Sequence, residues 1–197
     1  MLYFLAEYFA KLEFLRSIYL RTFLAFVISF CIVLFAGKPF IKYLKVKKFG
    51  EEIRDDGPSS HFSKKGTPTM GGVLIIASVL LTSLLINDLA NKLILLVLVS
   101  MLMFAAIGFI DDYRKFTVSK KGLAGKKKLL FQGTIGLMVW AYLYYIGFTG
   151  RTMIDFSVIN PISAHPYYIG AIGMFVLIQI ILMGTSNAVN ITDGLDG

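Results

Sequence analysis

Residues 93–115 read "LILLVLVSMLMFAAIGFIDDYRK". The first eighteen, Leu93 to Ile110, carry no charge and are long enough for a transmembrane helix. Asp111 and Asp112 then stand side by side, with Arg114 and Lys115 behind them. A carboxylate inside hydrocarbon costs at least a few kcal/mol, so the pair marks the point where the helix leaves the apolar core. Two adjacent carboxylates repel each other unless positive charge offsets them. One reading is a helix end salted by Arg114 and Lys115 at i+3 and i+4, an arrangement worth little at a surface. The other is a site that handles Mg²⁺ or a proton, since Mg²⁺ is held by one or two carboxylates plus substrate phosphates.

Outward from this stretch the whole chain has the same character. Its 197 residues are 56% hydrophobic, with mean hydropathy +0.72, above the usual apolar fraction of soluble domains. Five runs qualify as membrane spans: about 18–37, 70–87, 93–110, 129–147 and 167–185. The predicted class is all-α, a polytopic membrane helix bundle. Residues 2–16, "LYFLAEYFAKLEFLR", have an apolar stripe of Leu2, Leu5, Phe9 and Leu12 that fits a short interfacial helix. The first apolar run lacks a short basic flank and a small-residue cleavage site, so no cleavable signal peptide is expected. The single cysteine, Cys31, excludes an intrachain disulfide.

The net charge is +8, and its placement sets the topology. Eight Lys and Arg residues fall between Lys38 and Lys65, and seven between Arg114 and Lys128. The loops after spans two and four hold only Lys92 and Arg151. The positive-inside rule therefore places loops 38–69 and 111–128 in the cytoplasm, with the N-terminus outside. The segment 186–197 after span five then falls on the cytoplasmic side too.

Three further stretches can carry chemistry on that face. "NAVNITDGLDG", residues 187–197, spaces Asn187, Asn190, Asp193 and Asp196 by three, which groups them on one face while a helix continues. Four amide and carboxylate side chains directly after an apolar span are hard to explain as packing. "SKKGTPTMGG", residues 63–72, offers Lys64, Lys65, Thr67 and Thr69 with glycine-exposed amides, suited to phosphate or, blandly, to a glycine-rich helix start. "KKGLAGKKK", residues 120–128, is mostly a positive-inside anchor to anionic lipid. Carboxylates for a metal, lysines for phosphates and amides for a polar head group together fit phosphoryl transfer, which needs positioning and charge neutralisation more than covalent help.

"HFSKKGTPTMGG", "GFIDDYRK", "KKGLAGKKK" and "NAVNITDGLDG" together resemble the polyprenyl-phosphate N-acetylhexosamine-1-phosphate transferase superfamily, most closely its muramoyl-pentapeptide branch. The resemblance runs from the first basic loop to the last residue. It implies transfer of phospho-MurNAc-pentapeptide from UDP-MurNAc-pentapeptide to undecaprenyl phosphate with Mg²⁺ as cofactor, giving lipid I and UMP in peptidoglycan synthesis, and so a part in cell wall biogenesis, cell shape and cell division. It implies a bacterial plasma-membrane enzyme of about ten spans, usually a homodimer, with no nucleic acid among its partners. Carried over by motif, Asp111 and Asp112 are the paired aspartates essential to activity. Lys64, Thr69, Asn187, Asn190, Asp193 and Asp196 belong to the nucleoside and phosphate pocket, and Lys115, Lys120 and Lys128 to its basic rim. The family's later metal-binding aspartate and His-rich loop have no counterpart here, so the chain is expected to be the N-terminal half of one transferase domain. A sister enzyme transferring GlcNAc-1-phosphate is one alternative, and a transporter of a phosphorylated solute another. Against the transporter, the carboxylates gather on one face instead of the midplane. Direct attack by the lipid phosphate and a covalent aspartyl intermediate both fit the residues.

The topology is testable by thiol labelling. In a Cys31→Ser background, a cysteine at Ser59 should resist an impermeant reagent in intact cells, while one at Asn160 reacts. Equal labelling at the two positions refutes the orientation.

Overall fold

The computed structural model describes residues 14, 17–47, 70–117, 122–148, 153–154 and 167–194. The predicted interfacial helix at 2–16 and most of the loop 38–69 lie outside them. Among the described residues there is one helix for each predicted span: α1 (Ile18–Val46), α2 (Gly72–Ile86), α3 (Lys92–Thr117), α4 (Gly125–Tyr145) and α5 (Gly170–Gly194). Between α4 and α5, β1 (Met153–Ile154) pairs antiparallel with β2 (Tyr167–Tyr168). The class is all-α, and α1, α3 and α5 are long and apolar enough to cross a membrane.

The helices depart from the predicted spans where polarity and helicity part company. α1 continues past residue 37 and through Pro39 to Val46. Lysines end an apolar run without ending a helix, and Lys45 in the last turn complements the helix dipole. α2 is shorter than its run. Met70 has φ 68, in the left-handed region that bulky residues rarely occupy, and the helix begins only at Gly72. Its fifteen residues span about 22 Å, less than a bilayer's hydrocarbon thickness. α4 is diluted by Lys126 to Lys128 at its start and by Gln132 and Thr134 within. Tyr142, Tyr144 and Tyr145 end it, as in the aromatic belts found at membrane interfaces.

The chain divides into two compact units, Met1–Gly122 and Leu123–Gly197. In the first, α2 packs against α1 and also touches α3. Ser78, Thr82 and Ile86 are buried one helical turn apart, so the packed stripe of α2 is partly polar. Ser78 Oγ closes on the Ile75 carbonyl at 2.8 Å. The link from α2 to α3 is short: the Asn87 N–H ends α2 on the Ser83 carbonyl, Asp88 turns the chain, and the Asn91 side chain caps the start of α3. Asp88 Oδ1 accepts from the Ala90 N–H and Asn91 Oδ1 from the Leu93 N–H, each at 2.9 Å.

In the second unit α4 and α5 form an antiparallel pair joined along its length by side-chain hydrogen bonds. Trp140 Nε1 donates to the Ala171 carbonyl at 2.8 Å, and its ring meets Phe175 edge-on at 5.6 Å. Gln179 Nε2 donates to the Gly133 carbonyl at 3.2 Å, and its amide lies flat over Gly136. Small residues allow the close approach and polar side chains hold it, the usual solution where lipid is as apolar as leucine.

A Cβ at Gly136 would fall 2.6 Å from Gln179 Oε1, whereas one at Gly133 meets nothing nearer than 3.8 Å. Gly133→Ala should therefore melt at or above the wild-type temperature in detergent, since alanine gains up to about 1 kcal/mol of helix propensity. Gly136→Ala should melt below Gly133→Ala, because Gln179 must give up its bond to the Gly133 carbonyl. Equal melting temperatures would mean that Gln179 does not hold the pair.

Candidate functional site

Asp111 and Asp112 lie six and five residues before the end of α3, still in regular helix. Consecutive helical residues point about 100° apart, and one lysine reaches both. Lys115 Nζ stands 3.2 Å from Asp111 Oδ2 and 3.1 Å from Asp112 Oδ1. The i+3 and i+4 spacings place the ammonium between the carboxylates, which offsets their repulsion. The two carboxylates are not equivalent. Asp111 is buried, 7% exposed, while the Asp112 side chain is 35% exposed. Of the two basic residues behind the pair, it is Lys115 and not Arg114 that pairs with the aspartates among the described residues.

Gly122 closes over this pair. Its φ is +67, and a Cβ there would lie 2.7 Å from Asp111 Oδ1 and 3.1 Å from Lys115 Cγ. The chain returns against the end of α3 at a position where both the backbone angle and the space require glycine. Sequence reading used Gly122 only as part of a basic stretch. Its signal was the lone Gly between Lys121 and Leu123, eleven residues after the first aspartate.

The second unit gathers the other described candidates. Lys128 Nζ, on the first turn of α4, donates to Asn190 Oδ1 on α5 at 3.1 Å. Asn187 Nδ2 donates to Gln132 Oε1 at 2.8 Å and to the Met183 carbonyl at 2.7 Å. Asn187 thus has a packing role, which its sequence spacing does not show. Gln132 and Ser186, joined at 3.0 Å, were missed. Their signal was a glutamine inside the run "LLFQGTIG" and a serine just before the Asn motif. Asp193 is placed on α5 by its backbone alone. Lys64, Thr69, Lys120 and Asp196 lie outside the described residues.

Among the described residues no three His, Cys, Asp or Glu side chains cluster as a metal site. Asp111 and Asp112 by themselves offer hard oxygen donors of the kind Mg²⁺ takes when phosphates complete its shell. A cationic group already sits between them, so the donor set suits a cation.

An apolar helical chain with a lysine-bridged aspartate pair at a helix end is matched by a family model. The model described as glycosyl transferase family 4 covers residues 94–197, and the chain belongs to that family. A shorter one, phospho-N-acetylmuramoyl-pentapeptide-transferase signature 1, matches residues 64–76. A curated relative from Fusobacterium nucleatum subsp. nucleatum, named phospho-N-acetylmuramoyl-pentapeptide-transferase, is 85% identical over 197 residues. That match takes in 100% of this chain and 55% of the relative, so the chain spans about half the relative's length. With its apolar helices, the chain is membrane-embedded.

Lys115→Met removes the ammonium from beside a buried carboxylate. It should lower the melting temperature in detergent, because Asp111 and Asp112 lose the cation that offsets their repulsion. Adding Asp111→Asn to Lys115→Met should recover part of that loss. A wild-type melting temperature for Lys115→Met would reduce the bridge to an ordinary solvated pair.

Proposed function

We propose that this chain forms the aspartate-bearing part of a transferase that moves phospho-MurNAc-pentapeptide from UDP-MurNAc-pentapeptide to undecaprenyl phosphate, releasing UMP and forming lipid I. The observation that carries the reading is Lys115 between Asp111 and Asp112 at the polar end of an apolar helix. The family membership and the name of the 85% identical relative support it. A lipid phosphate lies at the bilayer surface, and a carboxylate pair at a helix end is where a membrane-borne nucleophile can be met. The site faces the cytoplasm of a bacterial plasma membrane, as the lysine asymmetry argues, and the enzyme works as a homodimer.

Phosphoryl transfer depends on placing the reactants and offsetting charge. Asp111 and Asp112 would hold Mg²⁺, which supplies charge neutralisation at the pyrophosphate. Lys115, already oriented by both carboxylates, offers an ammonium to a phosphate oxygen, and Lys64, Lys120 and Lys128 add to the basic rim. A lipid phosphate is an ionised nucleophile, so it attacks the donor's β-phosphorus directly. The new O–P bond forms as the bond to the UMP oxygen breaks, and no proton need be removed first. Thr69, Asn190, Asp193 and Asp196 take the nucleoside and phosphate part of the donor.

Asp111→Asn and Asp112→Asn in the full-length enzyme should each lower kcat far more than they weaken donor binding, because interactions made mainly in the transition state register in kcat. The assay is labelled sugar transfer from UDP-MurNAc-pentapeptide to polyprenyl phosphate in detergent with Mg²⁺. Wild-type kcat in both variants would return the pair to a plain helix end.

A further inference from the structure

Gln132 is 0% exposed and lies within the apolar part of α4. Both ends of its amide are used on α5. Its Nε2 donates to Ser186 Oγ at 3.0 Å, and its Oε1 accepts from Asn187 Nδ2 at 2.8 Å. The neighbouring residues Ser186 and Asn187 thus present an acceptor and a donor to one planar group. Turning the amide over would set its NH₂ against that of Asn187. Rotating α5 by one residue, about 100°, would carry one of the two partners out of reach and leave a polar group unpaired in apolar surroundings, a costly outcome. One turn back along α4, Lys128 holds Asn190 in the same register. The second Asn187 hydrogen goes to the Met183 carbonyl, so both of its donor positions are committed to the scaffold.

We propose that Gln132 is a positioning residue for donor binding. With Ser186 and Asn187 it fixes the rotation and register of α5 against α4, and so sets the direction in which the following turn, with Asn190 and Asp193, meets the nucleotide. Asn187 belongs to this clamp and not to the ligand contacts. The inference rests on the proposed transferase reading, in which that turn takes the nucleoside part of the donor.

The test uses the full-length enzyme in detergent and three measurements on Gln132→Leu, which keeps the volume and removes the amide. The first is the Kd of UMP. The second is donor KM and kcat. The third is the oxidation rate of a Gly133→Cys/Met183→Cys pair in the Cys31→Ser background, chosen because a Cβ at Gly133 lies 3.8 Å from Met183 Sδ. Gln132→Leu should raise the UMP Kd and donor KM roughly tenfold, within the range by which residues away from a ligand modulate its binding. It should also slow cross-linking and leave kcat at saturating donor within about twofold. Asn187→Leu should match it, and the double variant should be no worse than either single one. If Gln132→Leu does not fold, Ser186→Ala, which removes one anchor only, should show the same shift in smaller measure. Unchanged UMP affinity, whether or not cross-linking slows or the melting temperature falls, overturns the positioning role. No sugar transfer by the wild-type enzyme overturns the transferase reading itself, and the cross-linking rate then still decides whether Gln132 sets the register.

Discussion

A polar group inside an apolar helical protein must find its partner within the protein, and at the end of α3 Lys115 meets that need for two adjacent carboxylates. Its ammonium is 3.2 Å from one carboxylate and 3.1 Å from the next. Two adjacent aspartates repel each other, and a cation between them offsets that repulsion where burial strengthens it. The bridge needs a regular helix through residue 115, since only there do i+3 and i+4 converge on one point. That explains why α3 stays helical to Thr117 and why the backbone returning at Gly122 carries no side chain. The chemistry proposed for the site and the local fold therefore share a cause.

The same constraint shapes the second unit with different residue types. Lys128, Gln132, Gln179 and Trp140 each reach from α4 to α5 or back. A polar side chain spanning two apolar helices fixes rotation as well as contact, because hydrogen bonds have direction and hydrophobic packing has little. Lys128 and Gln132, which weaken the membrane signal of α4, also help to specify its partner.

Much of the fold was legible because each apolar run lies almost wholly inside one helix. Hydropathy and helicity diverge where charge or backbone conformation intervenes. The apolar run of α1 stops at Gly37 since Lys38 is charged, yet its backbone hydrogen bonds continue to Val46. The run of α2 starts before its helix since Met70 has a left-handed backbone, which no propensity for methionine signals. At the site, the Asp111, Asp112 and Lys115 spacing could be read directly, since it lies within one helix. Gln132 and Ser186 could not, because they are 54 residues apart and meet only through the pairing of two helices. The motif marks Asn187 as a ligand candidate but does not show its bond to Gln132, which depends on the pairing of two helices.

That last case bears on how the Asn-rich turn works. Residues three apart on a helix share a face only roughly, since three steps of 100° fall 60° short of a full turn. Asn187 and Asn190 each engage α4, through Gln132 and Lys128, four residues apart on that helix. The spacing by three that looked like a single ligand-binding row is thus partly a helix-packing row. Positions further along α5 diverge from it by the same geometry. A turn anchored at 187 and 190 gives the backbone at residue 193 a fixed starting direction. Anchoring and recognition can then be divided along one helix, with the buried end specifying the register and the polar end using it.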